Sequence, residues 1–301
     1  METIKGLERY CSIVNGKEKA KYLIAKGNGT LEKKIEQAEK VLRDCHFCER
    51  DCRVDRIKGE VGFCRAGKEW KIFGAHSHYG EEPELVPSAT LFAAACTMRC
   101  CYCQNAPESI SPEMGKDWSN ERVAEWIKEK QAAGCRNVNF VGGDPAPFIW
   151  NILKTLQLCS MNMPVVFNSN SYYSKEAAEI LKDVVDVYLL DFRYFRNGCA
   201  EKLSAAPGYA EAAKRNFMDA SKDSEVLVRL LVMPSHIECC AKPILKWIAG
   251  NLGKDTRVNI LEQYRPMYKA FMQPEIHKKL TMKEFQNVMR YAAELGLWNL
   301  V

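Results

Sequence analysis

The sequence has no long apolar run: no stretch of its 301 residues approaches the roughly 18 consecutive apolar residues that a membrane-spanning helix needs. Residues 1–10 are charged and lack the apolar centre of a secretory signal. Internal repeats and low-complexity tracts are also missing. We therefore expect a globular, cytoplasmic protein that does not interact with membranes.

The sequence also lacks a strong excess of one charge, because 43 Lys and Arg stand against 38 Asp and Glu. Residues 1–70 carry 16 of the basic and 12 of the acidic residues, so most of the small excess lies there. This balance permits an acidic partner surface but gives no indication of nucleic-acid binding. The length suits one large domain, or one domain with an appendage.

Cysteine, by contrast, is abundant, with fourteen residues. In a chain without an export signal, cysteines indicate metal binding rather than disulfides, and they favour a reducing, anaerobic cell. Two groups of cysteines have the spacing of metal ligands. The others have no such spacing and are expected to be small buried side chains or spare thiols: Cys11, Cys101, Cys135, Cys159, Cys199, Cys239 and Cys240.

The first group is Cys96, Cys100 and Cys103, with the spacing C-x3-C-x2-C. Three thiolates on one tight loop can each hold one iron of a [4Fe–4S] cluster, which usually takes four cysteines. The fourth iron would then be open for a bound ligand. Three structural thiols are the alternative, and the polar flank of Gln104 and Asn105 argues against it.

This motif closely resembles that of the radical S-adenosylmethionine (radical SAM) superfamily. The resemblance implies that the open iron binds the amino and carboxylate groups of SAM. It also implies that the reduced cluster cleaves SAM to a 5′-deoxyadenosyl radical, and that Tyr102 lies beside the adenine. A flavodoxin or ferredoxin is the expected electron donor. The cofactor carries such chemistry, while the protein places and shields it.

Alternating strand and helix patterns predict an α/β fold from about residue 85. Near-continuous apolar strands indicate a parallel sheet covered by helices. The strands are expected at Thr90–Ala95, Asn137–Val141, Val165–Phe167, Val187–Leu190, Val226–Val232 and Arg257–Leu261. Six such units fit a partial (β/α)6 TIM-like barrel over residues 85–301, the usual core of the superfamily that the motif resembles. Residues 1–84 are expected to form an N-terminal, cysteine-rich, metal-binding extension.

Helical patterns flank these strands and also precede them. In the extension, Trp70–His78 is expected to be extended, and a helix over residues 31–44 is expected to be capped by Thr30. Further helices are predicted at 119–133, 147–159, 174–182, 209–221, 239–249 and 281–295.

A glycine-rich motif, Gly142-Gly143-Asp144-Pro145, follows the second predicted strand. In barrels of this kind chemistry gathers at the carboxyl ends of strands. Glycines let a ligand approach the backbone closely. In the superfamily a Gly-Gly-Glu motif at this place binds the amino group of SAM, so the resemblance assigns Gly142, Gly143 and Asp144 to the cofactor. On its own the motif is also typical of a simple turn.

Polar pairs end the next two strands. Asn168 and Asn170 share one side because a strand has a period of two, and they suit a ribose or a carboxylate; an Asx turn is the alternative. Asp191 and Arg193 share a side in the same way. At their position the pyruvate formate-lyase activating enzymes, which residues 90–270 resemble, have an Asp-x-Lys that contacts SAM. Arginine in place of lysine still suits a carboxylate.

Two further candidates lie on the last strands. Arg229 is inside an apolar strand, so its charge must be paired with the carboxylate of SAM, with Asp191, or in a structural ion pair. Gln263 closes the sixth strand and is expected to meet the adenosine or the substrate.

The second cysteine group is Cys45, Cys48, Cys52 and Cys64, four thiols within twenty residues. They suit an auxiliary [4Fe–4S] cluster or a structural zinc ion. The cluster is favoured because the chain already needs an iron–sulfur environment; His46 is an alternative ligand. The block resembles the N-terminal part of a poorly characterised subgroup related to the activating enzymes.

Together these features predict a radical SAM enzyme of the activating type. Its radical would abstract hydrogen from a protein or peptide, for example from a glycine Cα to give a glycyl radical. A radical SAM enzyme acting on a small metabolite and a non-catalytic two-cluster electron-transfer protein remain open. An electron-transfer protein of this kind would need four protein ligands for each cluster.

Overall fold

The structure is a computed structural model that describes residues 1–301. Its strands are β1 Trp70–His78, β2 Ser88–Ala93, β3 Lys116–Trp118, β4 Asn137–Gly142, β5 Val165–Ser169, β6 Val187–Asp191, β7 Glu225–Leu231 and β8 Arg257–Leu261. Its helices are α1 Glu8–Val14, α2 Lys21–Gly27, α3 Thr30–Arg43, α4 Asn120–Ala132, α5 Ile149–Leu158, α6 Lys175–Leu181, α7 Asn197–Ser204, α8 Tyr209–Asp223, α9 Lys242–Asn251 and α10 Met282–Glu294.

All eight strands form one sheet in the order β3-β1-β2-β4-β5-β6-β7-β8. The six strands from β2 through β4 to β8 run parallel, and helices connect them in the manner of β/α units. Strands β1 and β3 add an antiparallel edge. The structure thus confirms the predicted α/β partial barrel and extends its sheet by two strands.

The N-terminal residues pack on the barrel, and one continuous hydrophobic core includes side chains from both. The predicted inner face of α3 is buried at Leu31, Ile35 and Leu42. The helix itself begins at Thr30, so its cap residue is Gly29, with φ +76°, and not Thr30 as predicted. Strand β1 precedes the predicted boundary after residue 84 and joins the main sheet; the division into two domains stays a prediction.

Several elements were not predicted, namely α1, α2, β3 and α7. Helix α1 is held by tertiary contacts: Arg9 pairs with the buried Asp186 at 2.6 Å, and the backbone N–H of Tyr10 donates to Glu225 at 2.8 Å. The helix predicted from Cys239 to Ala249 instead starts with a wide π-helical turn, Ile237–Ala241, that leads into α9. None of the helices combines the length and apolar character that a membrane crossing requires.

Candidate functional site

A cleft opens at the carboxyl ends of the parallel strands and holds about 920 Å³ of empty space, counting its mouth. Its wall contains Cys96, Cys100 and Cys103. It also contains nine of the ten residues predicted to bind a cofactor, which are Tyr102, Gly142, Gly143, Asn168, Asn170, Asp191, Arg193, Arg229 and Gln263. The fold therefore gathers residues from six strand ends into one site.

The cysteine loop follows β2 and is fixed by α7. The backbone N–H of Arg99 donates to the carbonyl of Ser204 at 2.9 Å, and the Ser204 hydroxyl donates to Sγ of Cys100 at 3.0 Å. Burial raises the pKa of the Cys96 and Cys100 thiols, so metal binding there must displace their protons. Sequence reasoning missed Ser204, which has no local motif to mark it.

Tyr102 is buried at the base of the same loop. Its hydroxyl is 2.7 Å from that of Tyr194, which in turn lies 2.6 Å from the Ser204 hydroxyl. The ring meets the edge of Tyr264 at 6.0 Å between centroids. A row of hydroxyl groups thus connects the wall of the cleft to the Cys100 sulfur.

The two glycines after β4 are required by close approach to protein backbone. A Cβ at Gly142, whose φ is +128°, would lie 2.2 Å from the N of Ala93. A Cβ at Gly143 would lie 2.1 Å from the carbonyl O of Ala95 and 2.4 Å from that of Ser109. The structure therefore adds a reason for these glycines beyond ligand access: they let β4 lie directly against the cysteine loop.

Asp144, predicted as a cofactor residue, lies behind the cleft wall and does not line it. Its carboxylate accepts hydrogen bonds from the backbone N–H of Ala146 at 2.9 Å and from the Ser169 hydroxyl at 3.2 Å. Burial raises its pKa to about 6. Because all its oxygens face the protein, Asp144 braces the turn that presents the two glycines.

The two asparagines line the cleft and also make local bonds. The side-chain oxygen of Asn170 accepts from the backbone N–H of Tyr172 at 3.0 Å, which is the Asx turn considered as the alternative. Its amide donates to the Thr97 hydroxyl at 2.9 Å. Asn168 accepts from Arg229 at 3.4 Å. Asn170 therefore forms the Asx turn, and its contact with a ligand stays a prediction.

Three charged residues from β6 and β7 meet in the cleft. Arg193 donates to Asp191 at 2.6 Å, while Arg229 lies 4.0 Å from Asp191 and 3.1 Å from Glu82. Burial would lower the pKa of Arg193, but Asp191 acting together with Cys100, Tyr102 and Tyr209 raises this pKa, so the guanidinium stays charged. The partner Glu82 is buried in the loop after β1, where no sequence signal marks it.

The fold also brings the four N-terminal cysteines together. Cys45, Cys48 and Cys64 are buried. The thiols of Cys48 and Cys64 lie near enough to the other cysteines of the block to interact with them electrostatically. A Cβ at Gly62 would lie 2.7 Å from Sγ of Cys52, so this turn needs glycine.

His46, the alternative ligand in this block, is turned away from the four cysteines. Its Nε2 lies 2.6 Å from the Glu176 carboxylate, and its Nδ1 contacts the carbonyl of Asp44. With both ring nitrogens engaged by oxygen atoms, His46 is not placed as a metal ligand.

A sequence profile of the Radical SAM superfamily matches residues 90–248, from β2 into α9. The chain therefore belongs to this superfamily, and the protein is a radical SAM enzyme. Among its relatives, the uncharacterised protein MJ0674 of Methanocaldococcus jannaschii is 42% identical over 273 residues, which cover 89% of this chain and 79% of that protein.

Two solved structures share the fold. SuiB of Streptococcus suis bound to S-adenosylmethionine has a TM-score of 0.52 at 12% identity, over 66% of this chain and 44% of SuiB. HydG, a maturase of the [FeFe]-hydrogenase, has a TM-score of 0.51 at 14% identity, over 98% of this chain and 62% of HydG. The chain thus spans less than two thirds of either of these proteins.

Superfamily membership implies a [4Fe–4S] cluster and SAM, and the residues of the cleft fit both. Three thiols on one loop are the soft ligands that iron–sulfur clusters take. The Nε of Arg193 is buried in the cleft wall without a hydrogen-bond partner, as expected of a group that awaits an anionic ligand. When bound, the cluster and SAM supply the radical chemistry of the superfamily.

Proposed function

We propose that this radical SAM enzyme is of the activating type and takes a hydrogen atom from a protein or peptide, for example from a glycine Cα. In this proposal Cys96, Cys100 and Cys103 hold three irons of the cluster. Arg193 holds the carboxylate of SAM, with Asp191 fixing its orientation. The pair corresponds to the Asp-x-Lys of the pyruvate formate-lyase activating enzymes.

The remaining cleft residues are proposed to bind the rest of SAM. Tyr102 contacts the adenine, and the backbone around Gly142 and Gly143 meets the amino group. Asn168 and Gln263 contact the ribose or the substrate. Each of these residues lines the same cleft.

The observation that carries the choice of a macromolecular substrate is an apolar rim, residues 267–272, after β8. Phe271 is 72% exposed and Met272 64% exposed, and Met267 and Tyr268 are also exposed. The backbone N–H of Lys269 donates to the Cys101 carbonyl at 2.8 Å, so the rim is attached to the cysteine loop. Adjacent exposed apolar side chains are typical of protein-binding surfaces.

A structural neighbour agrees with this choice. SuiB, which shares the barrel fold, has also been solved bound to the precursor peptide SuiA, with a TM-score of 0.50. SuiB is therefore one protein of this fold that binds a peptide.

The test uses the reduced, cluster-loaded enzyme with SAM and a soluble extract from the source cells, divided by dialysis. The protein fraction should raise the rate of 5′-deoxyadenosine formation, and protease treatment of that fraction should abolish the effect. Phe271→Glu should lose this stimulation but keep the unstimulated rate, because the rim lies outside the SAM site. Stimulation by the small-molecule fraction alone would contradict the proposal and favour a metabolite.

The N-terminal cysteines are proposed to hold a second [4Fe–4S] cluster that is structural or passes electrons to the first. A tetrahedral zinc ion would draw its sulfur atoms to about 3.8 Å. One group of three potential metal ligands in the chain has all its ligand atoms within 4.8 Å of one another, and that group contains none of the N-terminal cysteines. A wider spacing suits a cube, in which each cysteine binds a different iron. A flavodoxin or ferredoxin is the proposed external donor.

A further inference from the structure

The most closely spaced group of potential metal ligands lies outside the cleft and consists of Cys199, Cys239 and Cys240. Their sulfur atoms all lie within 4.8 Å of one another. The distance is 4.0 Å between Cys199 and Cys239 and 3.7 Å between Cys239 and Cys240. We propose that these three thiols bind a single thiophilic metal ion, Zn²⁺ or Cu⁺, as a third metal site of the protein.

The spacing distinguishes one ion from a cluster. Tetrahedral thiolates at the usual zinc–sulfur distance of about 2.3 Å are about 3.8 Å apart, and the two sulfur–sulfur distances given above lie on either side of this value. In a [4Fe–4S] cluster each cysteine binds a different iron, so its sulfurs lie farther apart. Three protein ligands leave one position for water or another small ligand, as in open zinc sites.

The fold builds this group from two strand connections. Cys199 lies in the first turn of α7, which follows β6, and Cys239 and Cys240 lie in the π-helical turn after β7. Such π turns are rare and are concentrated at functional sites. This wide turn brings two consecutive cysteines to one point, which a regular helix does not do because neighbouring side chains point apart.

The three thiols differ in their access to solvent. Cys240 is buried and the other two thiols are half-buried, so an ion can enter from solvent and remain shielded.

The site has a physical connection to the cysteine loop through α7. Cys199 lies near the start of this helix, and Ser204, which donates to Cys100, lies at its end. An ion that ties Cys199 to the turn after β7 would fix the position of α7. Occupancy should therefore raise the thermal midpoint of the protein, because a ligand of the folded state stabilises it.

The experiment compares the anaerobic, cluster-loaded wild type with the triple variant Cys199→Ser, Cys239→Ser, Cys240→Ser. Each protein is titrated with Zn²⁺ in one arm and Cu⁺ in another, desalted, and analysed for zinc, copper and iron. Wild type should retain one more equivalent of zinc or copper than the triple variant, with equal iron. Cys135→Ser, which removes a buried thiol outside the group, should retain that equivalent. Equal zinc and copper in wild type and triple variant would overturn the proposal.

A second variant covers the case in which the triple variant does not fold. Cys239→Ser alone changes a half-buried thiol and should lower the affinity for the ion by at least about tenfold, with an unchanged circular dichroism spectrum. Unchanged affinity in this variant would overturn the proposal. A disulfide between Cys199 and Cys239 in anaerobically purified, metal-free protein would do so as well.

Discussion

The guanidinium of Arg50 donates to the carbonyl oxygen of Thr97 at 2.9 Å. Arg50 belongs to the N-terminal cysteine block, and Thr97 follows the first cysteine of the cluster loop. Arg50 and Arg99 also lie over the Phe63 ring, 3.6 Å and 4.5 Å from its centroid. The two cysteine groups are therefore held against each other, as an electron relay or a structural brace between them requires.

Arg50→Ala should lower the thermal midpoint of the cluster-loaded protein. The change removes charged hydrogen bonds to Thr97 and Ala205, worth together about 2 kcal/mol, which corresponds to roughly 4 °C. Arg53→Ala is the matched control, because that arginine pairs only with exposed Asp44 and Asp51 and should change the midpoint little. Equal midpoints for both variants would contradict the proposed brace. Anaerobic thermal unfolding supplies the measurement.

Arg193→Ala should weaken SAM binding by about tenfold, or about 1.4 kcal/mol, because one charge-assisted contact is lost. Arg193→Lys should retain most of the affinity, since an ammonium group still pairs with a carboxylate. Titration of cluster-loaded protein with SAM measures this effect. Arg290→Ala, an exposed arginine on α10, is the control. If Arg193→Ala binds SAM like wild type, the role assigned to Arg193 is wrong.

Gly143→Ala should reduce both SAM affinity and the iron content of the cysteine loop. The added Cβ would lie 2.1 Å from the carbonyl O of Ala95, so the loop must shift at Cys96. Gly250→Ala is the control, because a Cβ there meets nothing within 4 Å. Normal iron and normal affinity in Gly143→Ala would show that the loop tolerates the shift and that the close approach is not needed.

Replacing Cys45, Cys48, Cys52 and Cys64 together by alanine should lower bound iron from about eight to about four atoms per chain. Stability should fall as well, because metal binding energy becomes folding energy in a segment with few apolar side chains. Metal analysis of both proteins gives the result. Loss of one zinc at constant iron would favour the zinc alternative, and no loss of metal would mean that these cysteines are free thiols.

The strands were predicted closely because their signal is local. A strand covered by helices on one side and packed in the barrel on the other is nearly continuously apolar, as in Val187–Leu190 of β6. The predicted limits of β8 agree with the structure at both ends. Helix α1 was missed because it has seven residues and depends on distant partners, such as Asp186 for Arg9.

The site was predictable where its residues share one loop or lie at the end of a predicted strand. The ligand spacing of Cys96, Cys100 and Cys103 lies within one loop, and strand ends indicated the polar wall. Ser204 hydrogen-bonds Cys100 although the two are 104 residues apart in sequence, and no local pattern predicts this contact. Cys199 and Cys239 are 40 residues apart and meet because parallel strands place their connections side by side. Such pairs follow from the topology and cannot be read from spacing.

We propose that the cleft binds a [4Fe–4S] cluster through Cys96, Cys100 and Cys103 and that SAM is cleaved there. The most direct measurement is 5′-deoxyadenosine formation by reduced, reconstituted wild type and by the variant with all three cysteines replaced by alanine. Wild type should cleave SAM and the variant should not, and the variant should also hold about four fewer irons. Cleavage by the variant at the wild-type rate would contradict the proposal.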